Sequence, residues 1–365
     1  MVGSSLLCSI VEGWHDLLRA MTPEEPHYDL LVKGGKAVDP SQGLSAERDV
    51  AILGSKIARV AVNIPEGEAR QVLNARGKIV THGLIDIHVH VYEGVTTYGI
   101  PPDLAADSGD EIYGELLDLR YADPKLAVRT IEKNRDVILG IKIRLDRDIT
   151  RDHDIAALRL AREASDAVKL PLMVHIGDTY SPLADILPIL NKGDVVTHCF
   201  RGEPGAILDA KGRIMPAVRS AIERGVHLDV GHGEGSFSFA TAEKAMQQDV
   251  LPGTISSDLD HFDVNGPVFD LATTLSKFLH LGLTLEQVIE RAATNPANVF
   301  AFPRGLGSLR EGAEADVAVW MLAEGDYEFV DSQDTKRMGH RKLMPLATAK
   351  SGRLYGSSSI ARVAG

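Results

Sequence analysis

The stretch Leu84-Ile85-Asp86-Ile87-His88-Val89-His90 predicts a buried β-strand that ends in two histidines. Because side chains alternate along a strand, His88 and His90 lie on one face and can hold one ion between them. A His-x-His pair at a strand end is a weak indication when it stands alone. It becomes specific if further metal-binding side chains occur at the ends of later strands.

Length and composition bound the class of protein. The chain has 365 residues, enough for one large domain with a small one attached, and 44% of them are hydrophobic. A net charge of −12 argues against a nucleic-acid partner, and no apolar run approaches the ~20 residues of a membrane span. Two cysteines, Cys8 and Cys199, make no disulfide framework. We therefore expect a cytoplasmic protein with no nucleic-acid or membrane partner.

The two ends of the chain predict a domain of their own. Short apolar runs broken by Gly, Pro and Asn fill residues 25–80, which indicates a small antiparallel β-structure. We expect a further apolar strand at 316–320 to return to it, so that 25–80 and 303–360 form a small β-sandwich domain. Residues 1–24 then remain as an N-terminal extension, and 81–302 as the main domain.

Long helices alternate with short apolar strands after residue 123, which predicts a parallel sheet with helical crossovers. Strands predicted to begin near 137, 170, 194, 226 and 253 fit the spacing of about 30 residues per unit in a (β/α)₈ barrel. A doubly wound sheet is the alternative, but it needs a glycine-rich phosphate loop after its first strand. The first strand here ends in histidines, so we predict an α/β fold with a TIM-like (β/α) barrel.

Polar side chains stand at the ends of later predicted strands as well. In a barrel these ends converge on one mouth, where imidazoles and carboxylates suit Zn²⁺ or a similar ion. Each residue has an ordinary alternative: a buried histidine can bond a backbone carbonyl, an aspartate can cap a turn, and a lysine can reach the rim. Their coincidence at successive strand ends favours a metal site made of His88, His90, Lys142, His175, His198 and Asp258.

The same residues resemble the amidohydrolase superfamily of metal-dependent hydrolases. Within it, the chain is similar to the dihydroorotase-like branch, which includes deacetylases that act on small acylated acids. The resemblance covers roughly residues 28–322. It is carried by Asp86-x-His88-x-His90, Lys142, Met173-Val174-His175, Thr197-His198-Cys199-Phe200, Asp229-Val230-Gly231-His232-Gly233, Ser257-Asp258 and Gly307-Ser308-Leu309.

The resemblance implies a site with two divalent ions, zinc by preference. His88, His90 and Asp258 would hold one ion, and His175 and His198 the other. Lys142, carboxylated by CO₂, would bridge the two. A water between the ions would ionise near neutral pH, and Asp258 would carry its proton to the leaving group. We therefore predict a deacetylase-like hydrolase of an amide or ester bond in a small acylated acid.

Candidate substrate-binding residues lie near the same strand ends. Tyr92 stands where dihydroorotases proper have an arginine that grips the substrate carboxylate, which argues against true dihydroorotase activity. Arg144 and Arg201 are candidates to grip a carboxylate instead, with a surface salt bridge as the alternative for each. His232 lies between two glycines that allow close approach of a substrate, although an ordinary turn explains those glycines equally well.

The chain is short just after its first barrel strand. Only 49 residues separate His88 from Val137, whereas three barrel steps need about 90. There is room for at most one extra strand, so either the barrel lacks one or two strands or a partner chain closes it. An open sheet edge favours a homo-oligomer. Two other functions stay open: a degenerate barrel that binds ligands without turnover, and a cyclic amidohydrolase of dihydroorotase or hydantoinase type.

Overall fold

A computed structural model describes residues 26–90, 116–202, 206–302 and 305–356, so Tyr92 and the extension 1–24 lie outside the described residues. Twelve β-strands occur in these ranges: β1 (Leu30–Asp39), β2 (Leu44–Leu53), β3 (Lys56–Ala61), β4 (Val72–Asn74), β5 (Ile79–His82), β6 (Ile141–Arg144), β7 (Leu172–His175), β8 (Val195–Thr197), β9 (His227–Leu228), β10 (Val317–Val330), β11 (Lys336–Lys350) and β12 (Arg353–Gly356).

Helices separate the later strands, as the alternation in the sequence predicts. Asp123 caps the first of them by accepting the backbone N–H of Lys125 at 2.9 Å, with Pro124 in the first turn. The α-helices are Pro124–Lys133, Arg147–Thr150, Asp154–Val168, Leu183–Ile186, Pro216–Glu223, Phe239–Met246, Leu271–His280, Leu285–Ile289 and Asn295–Val299, with a π-helical turn at Glu290–Thr294. None of the helices in the described ranges has the length and apolar character needed to cross a bilayer.

Strands from the two ends of the described chain share one eight-stranded sheet. Its order is β12-β11-β10-β5-β1-β2-β3, with β4 beside β1. The joining step is the antiparallel pair of β5 and β10, where Ile79 lies opposite Trp320 and the Trp320 indole N–H donates to the Thr81 hydroxyl at 2.9 Å. The sequence predicts this meeting of the chain ends; the division into domains at residues 80 and 303 stays a prediction.

The terminal sheet buries apolar side chains on both faces. Val32, Val50 and Ile52 pack with the 309–319 segment on one face. Val38 and Trp320 belong instead to the large core that contains the second sheet and its helices. Because apolar burial is the main favourable term in folding, this contact fixes the terminal sheet against the rest of the molecule.

The second sheet is parallel and runs in the order β6-β7-β8-β9. Two isolated parallel bridges extend it: Asp229 pairs with Thr254, and Leu259 pairs with Val89. The His-x-His segment 84–90 is thereby connected through 254–259 to β9. No β-pairing joins 84–90 to β6 among the residues that the structure describes, so a closed barrel is not shown and its completeness stays a prediction.

Several strand boundaries differ from the sequence prediction. Val137 does not begin a strand: its N–H and that of Ile138 donate to the Asn134 carbonyl in the turn that ends a helix, and β6 begins at Ile141. The apolar run at 137–143 is therefore partly a turn.

Residues 84–90 and 253–258 were also predicted as strands, and they form bridges rather than continuous ladders. The physical reason is a side chain: the Asp86 carboxylate accepts the backbone N–H groups of His88 and Ser257, at 3.2 and 3.1 Å, which a ladder would use.

Candidate metal centre

Five histidine and aspartate side chains from four segments meet at the ends of the parallel strands. The Asp258 carboxylate is the hub: its Oδ1 lies 2.7 Å from His88 Nε2 and 3.1 Å from His90 Nε2, and its Oδ2 lies 3.8 Å from His198 Nε2. His175 Nδ1 lies 2.8 Å from His198 Nε2. Potential ligand atoms of His88, His198 and Asp258 fall within 4.8 Å of one another, which is a suitable spacing for one shared ion.

Lys142 joins this group from β6. Its Nζ contacts His88 Nε2, and β6 pairs in parallel with β7, which carries His175. All six residues predicted as metal ligands from the sequence are therefore brought together in space.

Each of the three buried histidines has one ring nitrogen in the cluster and the other held by a fixed partner. His88 Nδ1 lies 3.0 Å from Thr197 Oγ1, and His198 Nδ1 lies 2.7 Å from the Gly231 carbonyl oxygen. His175 Nε2 lies 2.8 Å from Asp146 Oδ2. Such outer partners orient the nitrogen that faces a metal, so the donor set fits a divalent ion in direction as well as in type.

Burial keeps these imidazoles neutral, the form that binds metals. Burial, with the Lys142 charge nearby, lowers the pKa of His88 to about 4. Burial also holds the pKa values of His175 and His198 well below the usual range. Burial raises the pKa of Asp258, but its contacts with His88 and His90 outweigh that effect and hold the pKa well below the usual range. The site therefore pairs neutral imidazoles with an ionised carboxylate.

The backbone is strained at this point in the molecule. His198 and Asp258 have left-handed φ values of 69° and 51°, which non-glycine residues seldom adopt. Gly233 has φ of 49°, and a Cβ there would lie 2.6 Å from Asp258 Oδ2. Glycine is therefore required for the 233 backbone to pass beside the carboxylate.

The predicted substrate-binding residues lie in different surroundings. Arg144 is paired in register with His175 on the neighbouring strand. Arg201 lies beside Asp146 at Gly177, where a Cβ would overlap both side chains. Both residues therefore lie on the His175 side of the cluster: Arg201 beside Asp146, and Arg144 near enough for its charge to contribute to lowering the pKa of His175.

His232 already has partners for both ring nitrogens. Nδ1 lies 3.0 Å from the Gly233 carbonyl oxygen, and Nε2 lies 2.6 Å from Lys277 Nζ. The ring is fully buried and stacks on Phe237. A hydrogen bond from the His232 ring to a substrate would require the ring to give up one of these partners. The structure therefore does not support the predicted role of His232 in substrate binding.

Sequence reasoning did not single out Asp146 or Lys277. Lys277 is fully buried on the helix Leu271–His280, its Nζ also donates to the Pro267 carbonyl at 2.8 Å, and burial lowers its pKa to about 7. A lysine on an otherwise apolar helix face is the pattern that marks it in the sequence. Asp146 lies in a loop after β6, where an aspartate is ordinary, so no comparable pattern marks it.

Comparisons with known proteins agree with one another. No protein-family model matches the chain. A deacetylase of Enterococcus faecalis (strain ATCC 700802 / V583) is 32% identical over 372 residues, covering 90% of this chain and 99% of the relative. A solved structure of an adenine deaminase has a TM-score of 0.81 at 30% identity, covering 90% of this chain and 100% of that one. A solved dihydroorotase has a TM-score of 0.77 at 28% identity, covering 91% and 98%.

The first of these alignments is longer than the part of this chain that it covers. The alignment with the deacetylase is 372 residues long but covers only 90% of the 365 residues of this chain. The relative therefore contains residues that have no counterpart here.

Proposed function

The chain belongs to the amidohydrolase superfamily of hydrolytic enzymes, and on that premise we propose that it hydrolyses an amide or ester bond of a small acylated acid, as a deacetylase does. The observation that carries the proposal is the meeting of Asp258, four histidines and Lys142 at one set of strand ends. The deacetylase relative at 32% identity supports the choice of substrate class.

We assign the ligands to two zinc ions. His88, His90 and Asp258 would hold one, His175 and His198 would hold the other, and Lys142 as its carbamate would contribute an oxygen ligand. As an unprotonated amine, Lys142 would add through its nitrogen lone pair to the carbon of CO₂ while one C–O π bond opens, and the proton lost from nitrogen would pass to water. An anionic carbamate oxygen would then stand where the ammonium form would place a positive charge. When bound, the ions polarise the substrate carbonyl and supply a water that ionises near neutral pH.

The remaining steps belong to side chains of this chain. Asp258, ionised and held between His88 and His90, accepts a proton and delivers it to the leaving group. Asp146 fixes the His175 ring, and Arg144 and Arg201, on the same side, hold the carboxylate of the substrate acid. Acetate and the free hydroxy or amino acid are the products.

A panel assay tests this function. The full-length chain, loaded with zinc, is incubated with N-acetyl and O-acetyl acids, and released acetate is measured. We expect zinc-dependent hydrolysis of some members, lost in His198→Asn and retained in His227→Asn, a half-buried histidine of β9 outside the cluster. Failure to bind zinc, together with failure to hydrolyse any panel member, would exclude the proposal.

A cyclic substrate is the second candidate, because the solved dihydroorotase matches 98% of its own length to this chain at a TM-score of 0.77. Dihydroorotate and hydantoin therefore belong in the panel. Ring opening without deacetylation would select this alternative, and stoichiometric zinc binding without any turnover would select the non-catalytic barrel.

Assembly follows from the open edge of the parallel sheet. We propose that the chain forms a homo-oligomer, since β6 has no described β-pairing partner on one side and parallel sheets rarely leave an edge exposed. Light scattering on the purified chain tests this: a mass that is a multiple of the monomer is expected, and a monomer at all concentrations contradicts it.

A further inference from the structure

Three hydroxyl groups surround a carboxylate buried beneath the metal centre. Asp229 follows β9 and lies between the Thr197 end of β8 and the bridge residue Thr254. Its Oδ2 accepts from Thr197 Oγ1 and Ser256 Oγ, each at 2.7 Å, and its Oδ1 accepts from Thr254 Oγ1 at 2.6 Å. All four side chains are fully buried, so these bonds have no competition from solvent.

Thr197 connects this carboxylate to a histidine of the cluster. A threonine hydroxyl carries one hydrogen, and a donor bond to a carboxylate is stronger than one to a neutral imidazole. The hydroxyl therefore gives its hydrogen to Asp229 at 2.7 Å and turns a lone pair towards His88 Nδ1 at 3.0 Å. The reverse arrangement would turn a hydroxyl lone pair towards the Asp229 oxygen in a buried place, which is unfavourable.

We propose that Asp229 and Thr197 are positioning residues that set the tautomer of His88. The carboxylate orients the hydroxyl, the hydroxyl accepts from His88 Nδ1–H, and His88 Nε2 is left with its lone pair facing Asp258 and Lys142. His88 Nε2 and Asp258 Oδ1 lie 2.7 Å apart, so without a cation this carboxylate competes with Thr197 for the single proton of the His88 ring. A cation between Nε2 and Oδ1 removes that competition and leaves the proton on Nδ1.

The backbone of Gly231 closes the remaining side of this connection. A Cβ at Gly231 would overlap Thr197 Oγ1 and lie 3.0 Å from His88 Nδ1, and the Gly231 N–H donates to Ser256 Oγ at 3.1 Å. The Gly231 backbone therefore packs closely against the Thr197 hydroxyl and the His88 ring. The hydroxyl lies between one Asp229 carboxylate oxygen and one His88 ring nitrogen.

The expected effect on zinc affinity rests on the proposed function, in which His88 is a ligand of one zinc ion. Loss of such an outer partner typically costs 10–100-fold in metal affinity. Thr254→Val is the matched control: it removes a buried hydroxyl from the same carboxylate, but from the oxygen that has no contact with Thr197. Thr197→Ser keeps the hydroxyl and is the conservative rescue.

Two measurements on the full-length chain test the proposal. Nitrogen-15 NMR of the zinc-loaded chain at neutral pH reports which ring nitrogen of His88 carries the proton, and competition with a chelator reports zinc affinity. We expect protonation at Nδ1 in the wild type, Thr197→Ser and Thr254→Val, and a shift to Nε2 in Thr197→Val. Zinc affinity should fall about 10–100-fold in Thr197→Val alone.

Opposite results separate this proposal from the proposed function. A wild-type His88 protonated at Nε2, or a Thr197→Val chain that binds zinc as tightly as Thr254→Val, overturns the positioning role even if the chain is an active hydrolase. If no variant folds, the wild-type tautomer still decides. If the chain binds zinc with His88 protonated at Nδ1 but hydrolyses no substrate, the hydrolase proposal fails and the tautomer assignment stands.

Discussion

The two sides of the metal centre are built differently. One side is a continuous row of neighbouring segments: 84–90, then 254–259, then β9, then β8. Backbone pairing and buried side-chain hydrogen bonds join each segment to the next. We call this side the closed arc. The other side is β6 with Lys142, which has no pairing partner beyond β7 in the described part of the chain, and we call it the open edge. It borders a cavity of about 280 Å³ whose lining includes Ile87, Met173 and Phe300.

The contrast shows how a chain that is short after His90 can keep a complete set of ligands. Four of the six candidate ligands, His88, His90, His198 and Asp258, lie on the closed arc, and β7 places His175 next to it. Their orientation depends on Thr197, Asp86 and the Gly231 carbonyl rather than on barrel closure. Only Lys142 stands on the open edge. Substitutions in the closed arc should therefore be poorly tolerated. On the proposed two-zinc site, the open edge should determine how tightly the second zinc ion binds.

Removing the carboxylate at the hub of the closed arc should have the largest effect. Asp258→Asn keeps an oxygen donor but cannot carry a proton, so kcat should fall by about 10²–10⁴-fold while zinc stays bound. Steady-state kinetics and metal analysis check this. Asp260→Asn, two residues further along, is the control. Retained turnover in Asp258→Asn would show that another group moves the proton.

The open edge is tested by removing its ligand. Lys142→Met should lower bound zinc from two equivalents to one, because the bridging group between the ions is lost and the closed arc still holds its own ion. Metal analysis by mass spectrometry measures this, with the exposed Lys125→Met as control. Two equivalents in Lys142→Met would place the bridging role elsewhere.

Crowding on the closed arc predicts a smaller effect, on stability. Gly231→Ala forces a side chain onto a φ of 47° and into Thr197, so the free energy of unfolding should fall by about 1–3 kcal/mol. Gly235→Ala is the matched control, since a Cβ there meets no atom within 4 Å. Urea denaturation compares the two, and equal stability would mean that the arc is less rigid than described.

The smallest expected effect concerns Lys277, which ties His232 and Pro267 to the helix behind the closed arc. Burial lowers its pKa from 10.5 to about 7, so between these values the unfolded chain binds a proton that the folded chain lacks. Stability should therefore rise with pH through this window. Above pH 9 the buried Cys199 thiol, whose pKa burial raises, acts in the opposite sense, so the rise should be sought between pH 7 and 9.

Denaturation at several pH values checks this. Lys277→Met should abolish the rise, and the exposed Lys192→Met should keep it. A rise that persists in Lys277→Met would assign it to another group.

Much of the fold and of the candidate site can be predicted from the sequence, because it depends on patterns among residues that are close together along the chain. Strand alternation places His88 and His90 together, Asp123 and Pro124 mark a helix start, and the histidines of β7 and the 198 position follow apolar runs. What the sequence does not reveal depends on contacts between distant residues. Asp146 reaches His175, 29 residues later, only because β6 and β7 are neighbours.

The hydrogen-bond partners of the candidate metal ligands also cannot be predicted from the sequence, and the reason is energetic. Asp229 lies within a motif that the resemblance uses, yet its proposed role depends on hydroxyls of Thr197 on β8 and of the bridge residue Thr254. A buried aspartate is stable only when such donors surround it, and no local pattern records where those donors come from. His232 shows the converse: its glycine neighbours suggest exposure to substrate, whereas Lys277, 45 residues later, occupies its ring nitrogen.

Anomalous diffraction at the zinc edge from crystals of the metal-loaded chain tests the central claim most directly. We expect two peaks, one bound by His88 Nε2, His90 Nε2 and Asp258, and one bound by His175 Nδ1 and His198 Nε2. Absence of both peaks, or a zinc ion bound through the nitrogens that now face Thr197 and Asp146, would contradict the account.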